Sequence, residues 1–185
     1  FFDASFRETT LTFRQRPEWE YAARRFFKGF GRAFALYPTL LFLLAFVCAA
    51  NNRRELLIGG GIVAVTVFAT AWFTPQFAMQ LPPRFVPAAA WLSTAYLAAD
   101  SILAPQSGWS RRFIAGLLGL IHGAYLGLYS DIVGPRFDFL IGSTVALGCL
   151  YVLLTLLHKV PRLPGLRRPV LVCLGVLSLA LFVMR

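Results

Sequence analysis

His122 is the one imidazole inside an apolar run; His158, the other histidine, sits at the end of one. An ionisable side chain within such a segment marks a position with a function by default. An imidazole there has three chemistries open to it. It binds nickel, cobalt, zinc or copper well, it binds a small ligand or cofactor, or it hydrogen-bonds across packed helices. Nearby residues offer no second imidazole or thiolate at a helical spacing, so His122 is the single metal-ligand candidate. Asp100, near the end of the preceding apolar run, is the second candidate. It suits a helix-end carboxylate bonded to Ser101, Tyr96 or water, or a partner that orients the His122 ring. At 1.5 Å per residue the two are separated by roughly 10 Å or more along antiparallel helices, so direct pairing needs a kink. Ser93, Thr94 and Tyr96 lie deeper in the same run, with Ser93 nearer the depth of His122. Ser and Thr hydroxyls also bond back to their own helix carbonyls. Asp131 and Asp138 flank Arg136 in a connection and are expected to be solvated or locally paired.

The elements that carry these residues are membrane-length apolar segments. Hydrophobic residues make up 58% of the 185-residue chain and charged residues only 14%, against about 25% charged in soluble domains. With about 20 residues per crossing, six crossings fit. They run about Phe34–Ala50, Leu57–Phe73, Val86–Leu103, Phe113–Tyr129, Phe139–Leu157 and Val170–Met184. The expected fold is all-α and polytopic, with six transmembrane helices over residues 33–185. Residues 1–32 form an extramembrane tail and an amphipathic lead-in helix whose Trp19, Tyr21, Phe26 and Phe27 lie in the interface while Arg24, Arg25 and Lys28 reach the headgroups. "ETTLTF", Glu8 to Phe13, resembles a short strand rich in Thr. Pro38 falls in the first turns of its helix, where a missing N–H costs little. Gly59, Gly60 and Gly61 argue for flexibility or close backbone packing. Gly119, Gly123 and Gly127 recur every four residues on one face and allow two helices to approach closely.

The net charge of +10 would suggest nucleic acid in a soluble protein. Here the cations cluster between apolar runs, as Arg53-Arg54, Arg111-Arg112 and Lys159 to Arg168, which fits anchoring to anionic headgroups and excludes nucleic acid. The 1–2, 3–4 and 5–6 connections hold two, two and four Lys or Arg, the 2–3 and 4–5 connections one each. This places both termini outside, in the periplasm of a bacterial inner membrane, although Arg24, Arg25, Lys28 and Arg32 argue the other way. Cys48, Cys149 and Cys173 are isolated within apolar runs and are expected to be small packing residues. The chain opens without Met or a basic-plus-apolar leader, so it is expected to start downstream of a signal peptide or an outside domain. No nucleotide-binding glycine loop with its Lys, no His-Glu-x-x-His and no triad is present, so no enzyme is expected; "GGGIVAV" lacks dinucleotide-binding spacing. The sequence identifies no cofactor.

Three segments, taken in order, resemble a known family. "GFGRAFALYPTLLFLLAFV", "VPAAAWLSTAYLAADSIL" and "RRFIAGLLGLIHGAYLG" are similar to helices of the HupE/UreJ-type membrane proteins, proposed nickel or cobalt permeases. The resemblance covers about residues 29–160. It sets His122 and Gly123 on the family's His-Gly of the fourth helix, and Ser93, Tyr96 and Asp100 on its third-helix positions. Elsewhere this chain departs from the pattern. Arg32 stands at a family His, Pro38 and Thr39 at an Asp-His pair, and Pro87 at a Glu. "IVAVTVFAT" carries no His where the second helix usually has one.

Two functions follow. A structural or accessory subunit of a membrane assembly, built on a degenerate permease-like scaffold, agrees with the missing polar residues. It would contact lipids and other transmembrane chains. The alternative, implied by the resemblance, is a transporter of a divalent transition metal such as nickel or cobalt.

Overall fold

The computed structural model describes residues 17–50, 52–74, 82, 84–103, 109–128, 136–156 and 166–184. These residues contain seven helices and no strand: α1 (Glu18–Ala35), α2 (Tyr37–Ala49), α3 (Arg53–Phe73), α4 (Phe85–Leu103), α5 (Trp109–Leu128), α6 (Arg136–Leu156) and α7 (Arg167–Val183). The strand expected at Glu8–Phe13, together with His158 and Asp131, falls outside the described residues. Helix α3, and α6 from Phe137, are long and apolar enough to cross a membrane. The bent pair α1–α2 supplies a third span if taken as one. Helix α5 has a shorter apolar stretch, Arg112–Leu128.

The break between α1 and α2 has a local cause. A proline ring clashes with the carbonyl four residues earlier. Pro38 therefore cannot continue a helix through Phe34, and the chain leaves helical geometry at Leu36, with φ −86° and ψ 65°. The two helices bend by 67°. Pro38 then sits in the first turn of α2, where no N–H is missed. The bend turns α2 into the interior. It is largely buried, with Pro38, Thr39, Phe42, Leu43, Phe46 and Cys48 inside and the stripe of Tyr37, Leu40, Leu41 and Leu44 exposed or half-buried. Helix α2 packs against α4, α7, α6 and α5.

Around α2 the remaining helices pair as α3 with α5, α1 with α6 and α4 with α7. Helix α1 does not simply lie along an interface. Its buried Gly29 and Ala33 face α6, and a side chain at Gly29 would overlap the Phe139 carbonyl, one at Gly142 the Phe26 carbonyl. Ser143 Oγ donates to the Gly29 carbonyl at 3.0 Å. Arg25 Nη2 meets Asp138 Oδ2 at 2.9 Å, so Asp138 joins α6 to α1 rather than pairing locally. The opposite face of α1 exposes Trp19, Tyr21, Phe27 and Phe34. At the far end of α2, Arg167 donates to the Ala49 carbonyl at 2.7 Å, where helix-end carbonyls lack partners.

The small-residue face of α5 is what brings it against α3. A Cβ at Gly123 would lie 2.5 Å from the Val67 carbonyl oxygen and 2.8 Å from Thr70 Cβ. One at Gly127 would meet Thr74 Cβ at 2.8 Å, and one at Gly119 would strike the Thr66 hydroxyl. In α3, Gly59 accepts the Phe46 ring and Gly60 the Tyr151 ring, whereas Gly61 faces open space. Small residues at such contacts let the two backbones approach closely and pack by dispersion. Of the three cysteines only Cys48 is buried; Cys149 and Cys173 are exposed on helix surfaces and do not fill the interior as expected.

Replacing Gly123 by Val is expected to destabilise the detergent-solubilised protein by about 1–3 kcal/mol, because the Val67 backbone cannot yield as a side-chain tip can. Gly61→Ala should leave stability unchanged or slightly raised. Thermal unfolding followed by circular dichroism distinguishes the two.

Candidate functional site

His122 is fully buried, at 0% exposure, in the middle of three helices. Its Nδ1 lies 3.1 Å from Thr39 Oγ1 of α2. Its Nε2 lies 2.9 Å from Ser93 Oγ of α4. Thr39 and Ser93 are themselves 2% and 3% exposed. The Phe42 ring packs on the imidazole, with centroids 4.3 Å apart and planes 31° from parallel. One α5 side chain therefore ties α2 to α4.

The proton positions follow from donor supply. Ser93 has one hydroxyl proton and directs it to the Ala90 carbonyl at 2.8 Å. Its oxygen is then an acceptor for the ring, so Nε2 carries the proton. Nδ1 is left with a lone pair, and the Thr39 hydroxyl donates to it. The reverse tautomer would leave the Thr39 proton with no acceptor among the bonds it makes here. The chain of bonds thus runs from Thr39 to His122 to Ser93 to the Ala90 carbonyl, all in one direction. A neutral ring uses both nitrogens this way, which matters because an unsatisfied polar atom in a dry interior is costly. Thr94 strengthens the same junction, donating to the Pro38 carbonyl at 3.3 Å and the Ala90 carbonyl at 3.2 Å.

The other sequence candidates divide. Ser93 and His122 come together. Asp100 lies two turns of α4 beyond Ser93, and both His122 nitrogens are already engaged by hydroxyls, so Asp100 is not the group that orients the ring. Tyr96 is 47% exposed and points away from this junction. Gly119, Gly123 and Gly127 set the α3–α5 contact beside it. Arg32 lies exposed on α1. Thr39 is the member that sequence reading does not place among the site candidates. Glu55 is a second omission, buried at 2% exposure in the first turn of α3. A helix N-terminus favours negative charge there, and Asn52 caps the same turn by accepting from the Glu55 N–H at 2.7 Å.

The donor set does not fit a transition-metal ion. Such a site needs a free imidazole lone pair with further imidazole, thiolate or carboxylate ligands. Here both ring nitrogens are engaged by hydroxyls, and the described residues contain no group of three or more His, Cys, Asp or Glu able to hold a metal. No family model matches the chain, and neither the curated proteins nor the solved structures contain a significant match.

Thr39→Val and Ser93→Ala each strand one buried ring nitrogen and are expected to cost about 1–3 kcal/mol in unfolding free energy. In ¹⁵N-histidine spectra of the detergent-solubilised protein, His122 should be neutral and protonated at Nε2. A ring protonated at Nδ1, or an even mixture of tautomers, would contradict the proposed direction of the bonds.

Proposed function

We propose that this chain is a structural or accessory subunit of a membrane protein assembly, built on a permease-like scaffold that no longer handles metal. The observation carrying this reading is the engagement of both His122 nitrogens by the hydroxyls of Thr39 and Ser93. The one intramembrane imidazole spends its hydrogen-bonding capacity on joining helices. Nothing is left with which to pick up and release an ion. The outer helix faces support the same reading. Leu57, Val65, Leu156, Val176 and Val183 are among the large apolar side chains left exposed, and they suit lipid tails or neighbouring transmembrane helices.

In this reading six crossings of a bacterial inner membrane are made, the first by the bent α1–α2 pair and the others by α3, α4, α5, α6 and α7. The odd-numbered connections, richer in Lys and Arg, lie in the cytoplasm and the termini in the periplasm. The resemblance to HupE/UreJ-type proteins accounts for the helix order. The loss of its ligand positions at Arg32, Pro38, Thr39 and Pro87 accounts for the change of role.

Gentle solubilisation from the native membrane is expected to recover the chain with another transmembrane protein in fixed stoichiometry, and His122→Phe should leave cellular nickel and cobalt content unchanged. A chain that migrates alone, or metal uptake that falls when His122 is replaced, overturns the assignment.

A further inference from the structure

Arginines far apart in the sequence stand at one end of the bundle. Arg53 and Arg54 open α3, and Arg167 and Arg168 open α7. Between them lies the end of α2. Arg167 holds α7 there by donating to the Ala49 carbonyl at 2.7 Å. Only Ala50, Asn51 and Asn52 separate Ala49 from Arg53 in the chain, so their α-carbons are at most about 14 Å apart. Arg53, Arg54 and Arg168 are all exposed. The first turn of α7 holds no acidic residue, and that of α3 holds only Glu55, which is buried.

The level of these cations follows from α3. That helix, Arg53–Phe73, has the length and apolarity of a membrane span. Its first two residues therefore stand where the hydrocarbon ends and the headgroups begin.

Below the cations the surface turns apolar at once. Residues three or four apart share a helix face. Leu57, on the face of Arg53 and Arg54, and Val172, on the face of Arg168, are both exposed. On α7 the stripe continues through Val176, Leu179 and Val183, also exposed. From Val172 to Val183 it runs about 16 Å, the depth of one leaflet of a hydrocarbon core about 30 Å thick. Cations above a leaflet-deep apolar stripe complement an anion that carries acyl chains. A free phosphate, or an acidic segment from water, would match the cations and leave the stripe bare.

We propose that Arg53, Arg54 and Arg168 bind the headgroup of an anionic phospholipid whose acyl chain lies along the exposed stripe of α7. General anchoring by cations needs no fixed number of lipids, whereas this site holds one and selects it by charge. Such a site rests on the membrane placement proposed above and not on the subunit role.

The test counts lipid adducts on the detergent-solubilised chain by native mass spectrometry. Dioleoyl phosphatidylglycerol is the probe and dioleoyl phosphatidylcholine its zwitterionic counterpart. One phosphatidylglycerol should be retained, at least about tenfold more tightly than phosphatidylcholine. Arg168→Gln should weaken it about fivefold, and Arg53→Gln with Arg54→Gln at least as much. Arg24→Gln with Lys28→Gln removes two exposed cations from α1 instead and should leave retention unchanged. All these side chains are exposed, so the variants are expected to fold, and circular dichroism checks it. Excess glycerol 3-phosphate should not displace the lipid; displacement assigns the arginines to a soluble phosphate compound and overturns the proposal. Equal retention of the two lipids, or an equal loss in the α1 and α3 variants, overturns it in favour of unspecific charge attraction. Extraction of the native membranes with alkaline carbonate separates the two levels. A chain released by carbonate loses the membrane placement and the site together, whereas a chain that stays but shows no lipid preference loses the site alone.

Discussion

A neutral imidazole sealed away from water has two nitrogens to satisfy, one as donor and one as acceptor. His122 meets that demand with Ser93 and Thr39, and three helices are held in register as a result. Each bond is modest on its own. The constraint is severe because a missing partner is expensive where no water can replace it. Helix α2 has to present Thr39 at the right depth, so the bend at Leu36 and the inward course of α2 become part of the same requirement. Helix α4 has to present Ser93 with its proton already committed to Ala90, which decides the tautomer of the ring.

The rest of the packing uses a different device. Helices α3 and α5, and α1 and α6, approach until a methyl group at Gly123, Gly29 or Gly142 would overlap backbone of the opposite helix. In a lipid environment burying apolar surface is a weak force between helices, so dispersion across close contacts and a few polar bonds must replace it. Backbone proximity also lets side chains bond to carbonyls of a neighbouring helix, as Ser143 does to Gly29 and Tyr151 to Leu56. Larger side chains are consequently pushed outward, and Leu, Val and Phe residues are left exposed on the helix surfaces.

These two devices leave the centre of the bundle without the arrangement a metal site needs. Metal ligands converge on a centre and must exchange it. The polar atoms at this centre face one another in a closed series, with each proton already assigned.

Much of the fold was legible in the sequence because its causes are local. Apolar runs bounded by Arg pairs and prolines mark helices, the four-residue recurrence of Gly119, Gly123 and Gly127 marks a contact face, and a lone histidine within an apolar run marks a polar junction. The sequence also ranked Ser93 as nearer in depth to His122 than Asp100, from rise per residue alone. Tertiary structure decided what periodicity cannot express. It brought Thr39 to His122 across 83 residues, joined Asp138 to Arg25 across 113, turned Tyr96 outward, and left a space of about 120 Å³ between α2, α3 and α6. The physical reason is that a helix's own pattern specifies which side is polar or small, whereas partners and empty volume arise only from how several such faces meet.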